Sequence, residues 1–175
     1  MIFGALYRYF STVKNVVSHK SDFRHIVAHK SINMGPLKIK KGVNIQNKLG
    51  AWVEFGGGQA SVFVAEHHWV GFDFDGTISR TDNPGHFSPP YPLGEPIPEM
   101  IAAVKSLLES GITVKIFTAR ACEPENIPAI QDWTERHGLG RLAVTHQKDY
   151  DLIRFFDDRA IPVIENSGKL TAKPI

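Results

Sequence analysis

The sequence predicts an α/β fold: an open, mostly parallel sheet with helices on both faces, preceded by a basic N-terminal extension. Three observations carry this. From Trp69 on, short apolar runs of strand length alternate with segments of helical periodicity. The helical segments are punctuated alike, with Pro98 and Pro128 early and Gly111 and Gly138 just past the end. The links between segments are short, as in sheets built from strand-helix-strand units.

Taken in order, residues 1 to about 33 place Phe3, Leu6, Tyr7, Phe10, Val13 and Val17 on one helical face. That stripe reads as a docking surface rather than a membrane anchor, because its cationic face is thin. Residues 36–66 look extended, and "AWVEF" and "ASVFVAE" flank "GGGQ" as a β-hairpin or as strands joined by a flexible loop. The predicted boundary therefore separates an extension, 1–66, from a catalytic domain, 67–175. In that domain "WVGFDF" is a strand apolar enough to be buried on both faces. "IPEMIAAVKSLLESG" is an amphipathic helix and "ITVKIFTAR" a second strand. "NIPAIQDWTERHG" is a second helix, "RLAVTH" a short third strand and "LIRFFDD" a fourth. "IPVIEN" is a candidate fifth.

Composition narrows the classes. The 175 residues, 42% hydrophobic, suffice for one well-packed domain plus an appendage. One cysteine, Cys122, excludes a disulfide framework and a cysteine-rich zinc site. No apolar run is long enough to span a bilayer. The start, "MIFGALYRYFSTVKNVV", is broken by Arg8 and Lys14 and does not read as a secretory signal, so a cytoplasmic, reducing location is expected. Met34 offers an alternative start. The net charge of +2 hides an asymmetry: Arg8, Lys14, Lys20, Arg24, Lys30, Lys38, Lys40, Lys41 and Lys48 face Asp22 alone in residues 1–50. Such an arm is either a solvated face or a contact for a polyanion.

The polar residues of residues 67–175 sit where the strands end. The first strand ends in Asp73 and Asp75, the second in Thr118 and Arg120; Lys148 follows the third, and Asp157 and Asp158 end the fourth. In open sheets of this kind the ligand crevice lies outside the carboxyl ends of the strands. Four carboxylates on one rim repel one another and call for a hard cation with oxygen ligands, for which Mg²⁺ is suited. Carboxylates beside a cation, a lysine and a hydroxyl favour phosphoryl transfer, through an aspartyl-phosphate and a second carboxyl as acid and base. Gly76 would let the backbone turn sharply beside a phosphate. Singly, each signal has a plainer reading: an Asp-Gly turn for Asp73 and Asp75, a helix cap for Asp157 and Asp158, a surface lysine for Lys148.

Together, "DFDGT", the strand ending in Thr118, Lys148 and "FFDD" resemble the four motifs of the haloacid dehalogenase superfamily of phosphatases, in order and in spacing, over roughly residues 69–166. "LGEPIPEM", "IFTAR", "AIQDW", "KDYDL" and "FFDDRA" resemble a small group of such proteins common in bacteria and phages. The resemblance implies a Rossmann-like sheet and an Mg²⁺-dependent phosphomonoester hydrolase. It implies that Asp73 is the nucleophile and Asp75 the general acid and base, whose carbonyl also meets the metal. Thr118 would bind phosphate, and Lys148 would hold the phosphate and the nucleophile. Asp157 would ligate the metal, with Asp158 direct or through water. Gly76, Thr77, Ala119 and Arg120 would lie against the substrate. For Arg120 two roles stay open: a clamp on a substrate anion, or a structural pair with an acid such as Glu123 or Asp158.

Neither the link from Thr77 to the first helix nor the one from Arg120 to the third strand, most of it the second helix, is long enough for an ordinary cap domain, so the site should be open, covered at most by "NPGHFSPPYPLGEP". An open site admits a small phosphomonoester, a nucleotide or the end of a polynucleotide. A binding protein that keeps the fold without turnover is the alternative from another class. His25 and His29 have metal-compatible spacing but no third ligand in view, so they read as surface histidines. His67 and His68 would face opposite ways in an extended segment. Cys122 lacks a nearby base and reads as an inert thiol.

Overall fold

A computed structural model describes residues 37–43, 49–55, 61–82 and 91–170. The stripe of residues 1–33, His25, His29, the "GGGQ" tip and residues 83–90 of the proline-rich segment lie outside them. The chain divides into Met1–Asn33 and Met34–Ile175, and all that follows concerns the second unit.

Two sheets make the framework. β1 (Lys38–Val43), β2 (Leu49–Glu54) and β3 (Val62–Ala65) form an antiparallel sheet in that order, so residues 36–66 hold three strands. β4 (Trp69–Phe72), β5 (Thr113–Phe117), β6 (Ala143–Thr145) and β7 (Leu152–Phe156) form a parallel sheet ordered β6-β5-β4-β7. Its central strand β4 is buried along its whole length, as its unbroken apolar run requires. Helix α1 (Pro98–Glu109) joins β4 to β5, and α2 (Ile127–Arg136) joins β5 to β6. Both helices end alike. Ile112 N reaches back to Leu107 O at 3.0 Å past Gly111, and Leu139 N to Thr134 O at 3.0 Å past Gly138.

The two faces of the parallel sheet differ, and here the structure departs from the expectation of helices on both. Val70, Phe72, Val114 and Ile116 point to one face. They share a single core with Ile101, Val104 and Leu107 of α1, Ile130 and Trp133 of α2, and Ala51, Val53 and Val64 of the antiparallel sheet. The cause lies in handedness. β4→β5→β6 steps in one direction, and right-handed crossovers taken in one direction put both helices on one side. The return from β6 to β7 would carry a helix to the other side, but it has only residues 146–151 and no helix.

The second face carries Trp69, Gly71, Phe117, Leu152 and Phe155. A Cβ on Gly71 would stand 3.1–3.2 Å from Phe155, Leu152 and Trp69, so the missing side chain lets these three close over the strand. Trp69 is 1% exposed. Its indole Nε1 donates to Asp149 Oδ1 at 2.7 Å, and the Lys115 ammonium lies 4.3 Å from its ring. Among the described residues a polar connection therefore takes the place of a helix.

"IPVIEN" adds no strand to this sheet. Val163 bridges to Leu170 instead, and Ile161, Val163, Ile164 and Leu170 are all exposed. No helix of the described residues is long and apolar enough to cross a membrane.

Candidate active site

Strand order decides what meets what. The chain leaves β4 toward β5 on one side and returns to β7 on the other, so the carboxyl end of β4 is the switch point where a crevice opens. Main-chain bonds continue past the strands there. Asp73 N donates to Phe156 O at 2.8 Å and Thr118 N to Thr145 O at 2.9 Å, which draws the predicted motif residues to one rim.

On the β7 side, Asp73, Asp157 and Asp158 each offer a carboxylate oxygen, all within 4.8 Å of one another. Asp73 is half-buried and Asp158 exposed. Burial pushes the Asp73 carboxyl up from 3.8 to about 7; the Phe74 backbone bond works against this, and the charges of Asp157, Asp158 and Asp75 add to it. Neither Asp157 nor Asp158 caps a helix. Asp157 Oδ1 accepts from Arg159 N at 2.6 Å in a local turn, and Asp158 N donates to Thr77 Oγ1 at 3.2 Å. Gly76 is what lets Asp158 approach. It has φ of +85°, and a Cβ there would stand 2.7 Å from Asp158 Oδ2.

On the β5 side, Asp75 meets a guanidinium. Arg120 Nε donates to Asp75 Oδ2 at 2.8 Å and Nη2 to Asp75 Oδ1 at 2.9 Å, a two-point fork. Of the two roles open for Arg120, the structure draws the acid pair, with Asp75 rather than Glu123 or Asp158 as the partner. The Asp75 carboxylate accordingly stands apart from the acidic group formed by the other three aspartates. Thr118, 2% exposed, accepts from Arg120 N at 3.3 Å and starts the 3₁₀ turn Ala119–Cys122.

A cavity of about 280 Å³ is lined by Asp73, Asp75, Thr118, Ala119 and Arg120, with Tyr91, Glu123, Asn126 and Arg159; of the acidic group only Asp73 reaches it, and Asp157 and Asp158 do not line it. Lys148 does not line it. It is exposed on the β6–β7 connection, with its ammonium 5.9 Å from the Phe117 ring and 5.5 Å from the Phe155 ring. Gly76 and Thr77 support the rim from behind through Asp158. Tyr91, Asn126 and Arg159 are not among the residues the motifs single out, though Tyr91 belongs to the proline-rich segment expected over the site and Arg159 to "FFDDRA"; Asn126 has only its place two residues before the helix-starting Pro128 as a cue.

Other polar candidates find ordinary roles. His67 and His68 sit beside a turn, not in an extended run, so their rings come within 4.2 Å instead of diverging; His68 Nδ1 accepts from Ala65 N at 3.0 Å. Cys122 is an exposed free thiol. No family model matches the chain, and neither a curated protein nor a solved structure does.

Proposed function

We propose that the chain is a phosphomonoester hydrolase of the haloacid dehalogenase type, working through an aspartyl-phosphate. The observation that carries this reading is the split rim. Asp73 at the end of the central strand is grouped with Asp157 and Asp158, while Asp75, two residues on, is held by Arg120, and Asp73 and Asp75 line one cavity.

In the proposed reaction an Asp73 carboxylate oxygen attacks phosphorus. The bond from phosphorus to the leaving oxygen breaks, and Asp75, which must enter this step protonated, gives that oxygen its proton. In the second half water loses a proton to Asp75 and attacks the same phosphorus. The bond to Asp73 breaks, and inorganic phosphate leaves with both carboxyl groups restored. Thr118 gives its hydroxyl hydrogen to a phosphate oxygen, and Lys148, on the exposed β6–β7 connection, would have to turn toward the rim to supply positive charge for the transferring group.

Asp73, Asp157 and Asp158 fit a hard divalent cation. Three carboxylates this close repel pairwise by roughly 3 kcal/mol at an intermediate dielectric, and their donors are all oxygen. Mg²⁺ bound there would hold Asp73 ionised and offset charge on the phosphoryl group. The site is open. Only residues 73–97 separate β4 from α1, and two 3₁₀ turns, Ala119–Cys122 and Pro124–Asn126, fill the way from β5 to α2.

The test is phosphate release, with and without Mg²⁺, from sugar phosphates, nucleotides, phosphopeptides and 3′- or 5′-phosphorylated oligonucleotides. Release dependent on Mg²⁺ is expected. No release from any of them removes the reading and leaves a binding protein with this fold.

A further inference from the structure

We infer that Arg120 is a positioning residue for Asp75, not a ligand for the substrate anion, and that it ties Asp75 to the backbone of residues 91 and 92. The inference rests on the hydrolase reading above and adds a role that the motif resemblance does not contain.

The geometry is that of a hub. The fork spends Nε and Nη2 of Arg120 on both oxygens of Asp75. Nη1 donates to Tyr91 O at 2.7 Å, and Nη2 lies 3.5 Å from Pro92 O. The pair is well covered, with Arg120 11% and Asp75 17% exposed in their side chains. The carbonyls are fixed in turn, because the strap that bears them is pinned along its length. Trp133 Nε1 donates to Gly94 O at 2.8 Å, and Gly94 N to Ser79 Oγ at 2.9 Å. Arg80 N donates to Glu95 O at 2.8 Å and Ile97 N to Ile78 O at 2.9 Å. Gly94 passes so close to Arg80 O that a Cβ would stand 1.8 Å from it.

An anion that recruited Arg120 would have to break the fork and the carbonyl bonds together. The cavity holds a second guanidinium, Arg159, on an exposed residue where an anion meets no such cost. What Arg120 gives is orientation. A planar fork fixes both the position and the plane of a carboxylate, and a lysine ammonium keeps the charge but cannot do this. An acid that must hand a proton to a leaving oxygen is sensitive to small errors of placement.

Leaving-group dependence separates orientation from substrate binding. A p-nitrophenolate leaves with little need of a proton, whereas an alkoxide needs one. Full-length wild type, Arg120→Lys, Asp75→Asn and the double variant are assayed on p-nitrophenyl phosphate and on an alkyl phosphate in the presence of Mg²⁺. Arg120→Lys should lose at least about tenfold more kcat on the alkyl ester than on the aryl ester, with KM moving little. Asp75→Asn should show the same skew, and adding Arg120→Lys to it should take away nothing more on the alkyl ester. Trp133→Phe, which removes the indole bond to the strap and keeps an aromatic ring against Phe74, should give a smaller skew of the same sign. Equal losses on both esters in Arg120→Lys and no skew in Trp133→Phe overturn the inference. A raised KM on both esters with kcat preserved also overturns it, and makes Arg120 a substrate ligand. Wild type that hydrolyses neither ester removes the hydrolase reading itself, and the inference falls with it.

Discussion

The two halves of the rim set the same residue type in opposite surroundings. On the β7 side Asp73, Asp157 and Asp158 crowd together, and burial and like charge drive the Asp73 carboxyl up to about 7. On the β5 side Asp75, from the same short motif, has both oxygens on one guanidinium. The contrast arises from chain geometry: Asp73 N is bonded to Phe156 O at the end of β7, while Asp75, two residues on, lies against Arg120 just past β5. One half gathers negative charge, and the other pairs it with a guanidinium.

The sharpest way to break the comparison is Asp73→Asn. The amide is nearly isosteric, so the fold should persist by circular dichroism, while phosphate release should fall by a factor of about 1,000 or more, since the proposed nucleophile is gone. Turnover at the wild-type rate would move the chemistry elsewhere.

Asp157→Asn comes next. It keeps an oxygen for the Arg159 amide and removes one charge from the acidic half. The Mg²⁺ concentration for half-maximal activity should rise about tenfold or more. Without metal the melting temperature should rise by about 2–4 °C, because repulsion is relieved. An unchanged metal response would place the metal site outside this half.

Gly76→Ala tests the junction itself. Positive φ and the approach of Asp158 should cost about 1–3 kcal/mol, read as a lower denaturant midpoint at constant slope.

A further test is in pH. Because the Asp73 carboxyl lies above its unfolded value of 3.8, the native state holds more protons than the unfolded chain between about 4 and 7. The Asp73 contribution to metal-free stability is therefore fully present below pH 4 and is lost as the pH rises toward 7. The stability difference between wild type and Asp73→Asn should shift against the wild type over this range. A difference that stays constant or shifts the other way would contradict the account of Asp73.

Much of this was legible before any coordinates. The β4 run and both helices were readable because apolar period and Pro/Gly punctuation are local properties, and the rim followed from where the strands end. The partner of Arg120 was not readable, since Asp75 lies 45 residues away and the choice among Asp75, Glu123 and Asp158 depends on where the Ala119–Cys122 turn points. The one-sided placement of the helices escaped for a related reason. It depends on the length of the β6–β7 return, and the sequence pattern around Lys148 reads only as a loop. "IPVIEN" has strand composition, but no sheet edge of the parallel sheet receives it.

The β6–β7 return has a further consequence for how the molecule breathes. Among the described residues β7 is an edge strand, hydrogen-bonded to β4 alone, and no described helix backs its second face. Strands of this kind open in sub-global fluctuations well before the whole domain unfolds. Yet Asp157 and Asp158 follow β7 directly, while Asp73 follows the central strand. A cation shared by the three would staple the edge to the middle. Native-state hydrogen exchange would register it as slower exchange at Asp73 N, the amide that reaches across to Phe156 O. In the proposed hydrolase, loading the site and closing the sheet are then a single equilibrium.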